Sequence, residues 1–525
     1  MTGKTWKPWQ QAALLAGITF AVFSGTLAAD FVYDARMQIL TGDFIHEWRN
    51  WPAVLTGRVL GMDVLDGNRP AMLASLMLDA AVWSREPFGY HLTSVLVHVA
   101  NTLLVWLVAR TLLASADGVA APLPPLLAAV VFAVHPVVTE AVCEPTFRED
   151  LLVAAFSLSA ILLAMRHDPA AAGFDGWRAL GCTALSLLAI ASKEAGIVAP
   201  MLLGAYWWLF RRREPARFWA VAVGAAKLCV LAFLAARFFL EPNPSKIFEA
   251  RPEYLGGSLV RALAIEPRIL ALYAQLILFP VNLCADYGIV SVGHLPLPVA
   301  IGLLALIAVA GTFAARQDRR LLLAFALVLL PLVPVANLVP IYRPAADRYL
   351  YLPMAGVAVA VACLLDAPWL AGRDRLRRFA VIGCMAAAAL LGVASIERQL
   401  VWADSVALWD DSQRKNPASV TAASAGRPCA SRMRASVAQS SPRRPSASRI
   451  ARPVAASASA SRPASRRASP RPAAAAAVAK ALEAEPKLAD PDARVAALAM
   501  ERGTADELKS LFERLGVSPP TGPSP

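Results

Sequence analysis

The chain has 525 residues, 57% of them hydrophobic and 17% charged, with a mean hydropathy of +0.51. The apolar residues gather in many separate runs near the roughly 17–25 residues that cross a hydrocarbon core, a pattern no soluble core needs, so the sequence predicts an all-α polytopic membrane protein. The formal charge of +13 does not point to nucleic acid, because eleven arginines in 421–472, a stretch without a single Asp or Glu, account for eleven of those thirteen charges, and no basic face with interleaved aromatics remains. Five of the seven cysteines, Cys182, Cys229, Cys284, Cys363 and Cys384, lie in or beside apolar runs and none forms a CxxC pair, so neither a disulfide framework nor a zinc site is indicated.

In chain order, Lys4 and Lys7 precede an apolar run over 11–29, which puts the N-terminus in the cytoplasm by the positive-inside rule. The rival reading, a cleaved leader ending near Ala29, fits less well because many spans follow and Leu27 is large for a cleavage site. A long extracytoplasmic loop, 30–90, carries Trp48, Trp51, Asp63, Asp66, Arg69 and Trp83, and its 72–83 stretch is amphipathic and expected along the interface. Further spans are expected over 91–113, 126–142, 151–165, 180–191 and 197–210, and Arg211-Arg212-Arg213 then marks the cytoplasm. A span over 218–240 leads outward to the loop 241–266. The run 269–279, broken at Pro280, is expected as a re-entrant or interfacial segment, since Arg316, Arg319 and Arg320 need an inside location after the span 297–315. Spans over 321–339, 349–365 and 379–396, with Arg373, Arg375, Arg377 and Arg378 inside, bring the total to about eleven and the C-terminus outside.

On this topology the polar residues at the outer span ends share one side. They are Asp34; His135 to Glu140; Arg148-Glu149-Asp150; Lys193-Glu194; Asp286-Tyr287; and Arg343 with Asp347-Arg348-Tyr349. A charge at a helix centre costs about 2.5–3.5 kcal/mol to insert, so acids and bases collected at one level suggest a site. Interfacial caps and local ion pairs, such as Arg148 with Glu149 or Lys193 with Glu194, are the bland alternative for any one of them.

The ordered phrases Phe31-Val32-Tyr33-Asp34, Asn68-Arg69-Pro70, Pro87-Phe88-Gly89-Tyr90-His91, His135-Pro136 with Thr139-Glu140, Arg148-Glu149-Asp150, Ser192-Lys193-Glu194, Asp286-Tyr287 and Arg348-Tyr349-Leu350-Tyr351-Leu352-Pro353 resemble the membrane part of the transmembrane and tetratricopeptide-repeat O-mannosyltransferase-like proteins. These are GT-C glycosyltransferases, and the resemblance covers roughly residues 10–417. It implies a GT-C-like bundle, a polyprenyl-phosphate sugar donor, usually mannose, and a protein hydroxyl as acceptor on the outer face of a bacterial inner membrane. The sequence departs from the resemblance in two places. Ala35 follows Asp34 where these proteins usually carry a second acid, and Ser94 replaces a common Asn.

Physical chemistry assigns roles beside that resemblance. An acceptor hydroxyl is a poor nucleophile, so Asp34 is the candidate base that takes its proton during an inverting attack on the anomeric carbon. Arg148, Arg343 and Arg348 are candidates for the leaving lipid phosphate, which guanidinium binds bidentately. Glu140, Glu149 or Asp150 would orient the sugar or hold a divalent cation with Asp34. Lys193 and Glu194 complete the candidate substrate-binding set, Asp286 and Tyr287 line an acceptor groove or form a turn after Pro280, and His135 reads as a helix cap.

The domain 1–396 is followed by an amphipathic helix over 397–419 with Trp402, Leu408 and Trp409. The resemblance places tetratricopeptide repeats next, but 420–472 is Ala, Ser, Arg and Pro without Leu, Lys or acid and cannot bury a core. It reads as a repeat segment out of frame, or as a genuine linker, before helix-forming composition resumes over 473–525. Two other classes stay open. A transporter would place its ionisable residues near the midplane, and an inactive relative would serve as a membrane scaffold.

Overall fold

Apolar runs with no competing hydrogen-bond partners in lipid must close their backbone bonds within the segment, so they become helices. The computed structural model describes residues 6–114, 121–169, 175–240, 254, 257–287, 296–341 and 343–417, and all its regular structure among them is helical. The expectations for 420–472 and 473–525, and most of the loop 241–266, lie outside the described residues.

The main helices are α1 (Pro8–Phe23), α2 (Pro70–Trp83), α3 (Pro87–Leu112), α4 (Leu123–Val134), α5 (Thr139–Cys143), α6 (Arg148–Met165), α7 (Gly176–Ser192), α8 (Val198–Tyr206), α9 (Ala226–Leu240), α10 (Leu259–Leu278), α11 (Leu297–Gln317), α12 (Arg319–Leu329), α13 (Tyr351–Leu365), α14 (Asp374–Val401) and α15 (Ser405–Lys415). Among the described residues five helical stretches are long and apolar enough to cross a bilayer: Pro8–Ala28, Pro87–Leu112, Ala216–Leu240, Asp347–Leu365 and Asp374–Val401. A sixth is a broken pair, Leu123–Val134 with Pro136–Cys143, bent by 49°. The protein is an all-helical integral membrane bundle.

Proline explains most of the breaks. Pro136 has no N–H to continue α4 and forces His135 into an extended conformation (φ −76°, ψ 129°), so the run 126–142 is a kinked pair of helices and not the single straight span its hydropathy suggests. Pro331 and Pro334 likewise turn the end of α12 into a 3-10 segment, Leu330–Val335. The run 269–279 ends before Pro280 as expected, but it belongs to a longer helix. That run is the C-terminal half of α10, an unbroken helix of 20 residues, about 30 Å long at 1.5 Å per residue. Arg261, Glu266, Pro267 and Arg268 interrupt its hydropathy and hide its N-terminal half from a reading by apolar runs, whereas the helix itself starts at a Ser258 cap accepting from the Arg261 amide.

The centre of the bundle is a large apolar cluster built from α3, α4, α6, α8, α12 and α13. Helices α12 and α13 meet at Gly356, where a Cβ would lie 2.7 Å from the Ala324 carbonyl oxygen, the close backbone approach that small residues allow between membrane helices. Helix α1 packs on α3, α4 and α14, which places the first apolar run inside the bundle. On one end, a second cluster of Phe31, Ala35, Ile39, Val54, Met72, Leu76 and Tyr90 seats the loop after α1 against α2.

Candidate functional site

Four breaks between helices converge near that loop. They are the Asp30–Asp34 turn after α1, the kink from His135 through Asp150, the α7 to α8 corner at Lys193-Glu194, and the Arg343–Arg348 segment before α13. Each supplies charge because a helix end leaves backbone groups and side chains free of the spanning register.

Asp34 is exposed and, among the described residues, its carboxylate makes no hydrogen bond or ion pair. Its surroundings are nonetheless strongly charged. The surrounding protein mass pushes its carboxyl above the usual aspartate range, Arg348 and Arg343 pull it back down, Glu149 adds to the rise and Arg69 opposes it. The neighbours on either side are fixed. Tyr33 sits in the left-handed region at φ 49°, a costly position for an aromatic residue. Phe147 and Trp409 hold it at ring-centroid distances of 5.4 and 5.3 Å, and the Arg343 guanidinium lies 5.6 Å from the ring centroid. On the other side Ala35 is fully buried and its amide donates to Glu144 Oε1 at 3.0 Å.

The two arginines nearest Asp34 are themselves oriented. Arg348 forms an ion pair with the buried Glu140, which also accepts from the Arg348 amide at 3.2 Å, and its guanidinium lies 4.0 Å from the Phe147 ring centroid. Arg343 forms an ion pair with Asp286. Arg348 also lines a small cleft with Asp150, Val153, Val198, Val335, Tyr349 and Leu352 among others. Most of its lining residues are apolar, with Asp150 and Arg348 as the charged members.

Beside this site lies a lattice of ion pairs in which Glu149 and Lys193 are buried and Arg69, Asp66, Glu194 and Arg237 are partly buried. Arg69 reaches Asp66 at 2.9 Å, Glu149 at 2.5 Å and Glu194 at 3.2 Å; Lys193 reaches Glu149 at 3.0 Å and Asp150 at 2.6 Å; Arg237 reaches Glu194 at 2.8 Å. Burial works against ionising Glu194, but Arg69 and Arg237 more than offset it and hold its carboxyl at about 2. Asp66, more crowded by other acids, is raised by burial to about 6 despite Arg69.

Of the residues singled out from sequence, Asp34, Glu140, Asp286, Arg343 and Arg348 form one group, and Glu149, Asp150, Lys193 and Glu194 form the lattice next to it. Arg148 joins neither. It is fully buried, paired with Asp79 at 2.6 Å and donating to Ser94 Oγ at 3.2 Å and the Tyr90 carbonyl at 2.7 Å, so it ties α6 to α2 and α3. Tyr287 is buried and donates to Asp347 at 2.5 Å, and His135 accepts from the Val137 amide as a cap. Sequence reasoning missed three site supports: Arg69, Glu144, and Arg398, which pairs with Asp411 at 2.8 Å and lies 3.8 Å from Asp347. Arg69 stands in one of the phrases that carried the resemblance, whereas Glu144 and Arg398 carry no local signal. Among the described residues no group of three or more His, Cys, Asp or Glu side chains converges as a cation site, because Glu140, Glu149 and Asp150 are each engaged by Arg or Lys.

Known proteins were compared with this arrangement. No family model matches the chain. The protein O-mannosyl-transferase F38B6.6 of Caenorhabditis elegans is 25% identical over 374 residues, 67% of this chain and 50% of that protein. The protein O-mannosyl-transferase Tmtc1 of Drosophila melanogaster is 36% identical over 195 residues, 36% of this chain and 22% of that protein. TMTC3 of Homo sapiens is 24% identical over 401 residues, 67% of this chain and 42% of that protein. The chain is similar to the protein O-mannosyl-transferases. It spans about half the length, or less, of the TMTC proteins it matches. Among solved structures, ArnT from Cupriavidus metallidurans bound to undecaprenyl phosphate aligns over 83% of this chain and 82% of that one, at 12% identity and a TM-score of 0.43, a likeness too distant to add to the TMTC relationship.

Proposed function

We propose that this chain is a membrane glycosyltransferase of the GT-C type that moves a sugar, mannose in the first instance, from a polyprenyl phosphate to a protein hydroxyl. The site and the C-terminus then face the extracytoplasmic side of a bacterial inner membrane, with the N-terminus in the cytoplasm. The observation that carries the reading is an exposed carboxylate without a partner among the described residues, Asp34, in the field of two oriented arginines, Arg348 and Arg343, of which Arg348 also lines a small, mostly apolar cleft. That combination suits a substrate with a lipid tail, a phosphate and a reacting carbon between phosphate and base.

In the proposed step the acceptor Ser or Thr oxygen attacks the anomeric carbon while its proton passes to Asp34. The bond from that carbon to the phosphate oxygen breaks, and its electron pair leaves with the lipid phosphate. The growing negative charge falls to Arg348 and Arg343, whose planar guanidinium groups are held by Glu140 and Asp286 before the reaction begins. Attack opposite the leaving phosphate inverts the anomeric centre. Glu149, Asp150, Lys193 and Glu194 hold the sugar's surroundings in place through the lattice with Arg69.

A second reading, a catalytically silent membrane scaffold, draws on Ala35, which stands where TMTC-type proteins usually carry a second acid. One assay separates the two: turnover of polyprenyl-phosphate mannose onto a Ser/Thr peptide by the purified full chain, wild type against Asp34→Asn. The enzyme reading expects transfer that falls about 10²- to 10⁴-fold in the variant. Transfer unaffected by the substitution removes Asp34 as base, and no transfer from any polyprenyl-phosphate sugar favours the scaffold.

A further inference from the structure

Glu144 is a fully buried acid, 109 residues away in sequence from the residue it holds. Its Oε1 accepts from the Ala35 amide at 3.0 Å and from the Thr146 hydroxyl at 2.8 Å. Its Oε2 is buried with no hydrogen-bond partner among the described residues. A carboxyl group placed in the interior with one oxygen unsatisfied is expensive, and such a group persists where it has a task. The amide it grips belongs to the residue immediately after Asp34, and the residue immediately before, Tyr33, holds a left-handed conformation of the kind that survives only when its surroundings enforce it.

The same short segment braces the rest of the site. Glu144 opens the 3-10 turn Pro145–Phe147. Phe147 packs edge-on against Tyr33 and lies under the Arg348 guanidinium, and Glu140, one helical turn earlier, pairs with Arg348. A single kinked stretch therefore touches the peptide on both sides of Asp34 and the arginine that faces it.

We infer that Glu144 is a positioning residue: by accepting the Ala35 amide it fixes the backbone that aims the Asp34 carboxylate at the Arg348 and Arg343 pair. The inference deepens the proposed transferase reading and rests on it for its effect on turnover. Glu144 itself touches no substrate, and its effect passes through Asp34.

Two measurements on the full chain in nanodiscs test it. The first is independent of activity: hydrogen exchange of peptides covering 30–36. Glu144→Ala releases the Ala35 amide and speeds exchange there at least tenfold, whereas Glu144→Gln, which keeps a carbonyl oxygen for that amide, stays within about threefold of wild type. Equal exchange in wild type and Glu144→Ala overturns the grip. The second is a cycle on turnover. Glu144→Ala lowers kcat at least tenfold with the donor KM within about threefold, Glu144→Gln recovers most of kcat, and on an Asp34→Asn background Glu144→Ala costs nothing further. Full turnover by Glu144→Ala, or an equal loss with and without Asp34, overturns the positioning role. If Asp34→Asn itself leaves turnover unchanged, the transferase mechanism fails while the exchange result still decides whether Glu144 holds the loop.

Discussion

Asp34 titrates under opposing influences, and their balance makes a signed prediction. The surrounding protein raises its carboxyl above the ordinary aspartate value, and Arg348 and Arg343 lower it. A general base works only when ionised, so the acid limb of the rate profile should lie above the roughly 3.9 of a free aspartate, with turnover lost as pH falls through it. Removing either cation raises the limb further, so kcat/KM measured against pH should show Arg343→Gln shifted to higher pH than wild type; a shift to lower pH contradicts the assignment. The neighbouring position behaves differently from what the resemblance suggests. Ala35 is fully buried in an apolar cluster with its amide already held by the buried Glu144. Ala35→Asp, which restores a second acid, should therefore destabilise the folded chain by about 1–3 kcal/mol or more and lower its melting temperature in detergent; unchanged melting with raised turnover would overturn this reading of position 35.

At the scale of elements, the corner after α7 and the loop before α2 are locked by ions. Arg69 alone reaches three carboxylates, and Lys193 two. Removing Arg69 leaves the buried Glu149 with Lys193 alone, an under-compensated charge in the interior. Arg69→Ala should accordingly cost more in melting temperature than Arg69→Ala combined with Glu149→Gln, and additivity of the two would show that the lattice is not a unit. Much of this level was legible in sequence. Apolar runs gave α3, α6, α7, α13 and α14 to within a few residues because lipid leaves the backbone no alternative. The kink at His135-Pro136 and the full length of α10 were not legible in this way, since hydropathy reports composition and is silent about where a helix bends or continues through charged residues. The acids and arginines at span ends were also visible, but their pairing was not. Arg148 looks like Arg348 in sequence, and only the structure shows that it pairs with Asp79 while Arg348 pairs with Glu140.

Across the whole described molecule, the last helix closes the account. The backbone at Asp30 donates to the Ala403 carbonyl at 2.9 Å, Trp402 and Trp409 pack with Val32 and Phe147, and Asn416 donates to the Asp286 carbonyl at 3.0 Å. The amphipathic helix expected over 397–419 is split: 397–401 ends α14, and after a turn α15 (Ser405–Lys415) brings Trp409 against the Asp34 loop. Trp409→Ala should lower turnover and loosen that loop, read as faster hydrogen exchange over 30–36, while the bundle around α4 and α13 keeps its protection; uniform loss of protection would mean the helix supports the fold and not the site. The most direct measurement is a cryo-electron microscopy map of the full chain with a polyprenyl phosphate bound. The account predicts phosphate oxygens about 2.7–2.9 Å from the Arg348 or Arg343 guanidinium, the lipid along Val153, Val198 and Leu352, and Asp34 on the side where the sugar would sit. A phosphate bound elsewhere, touching neither arginine, would contradict it.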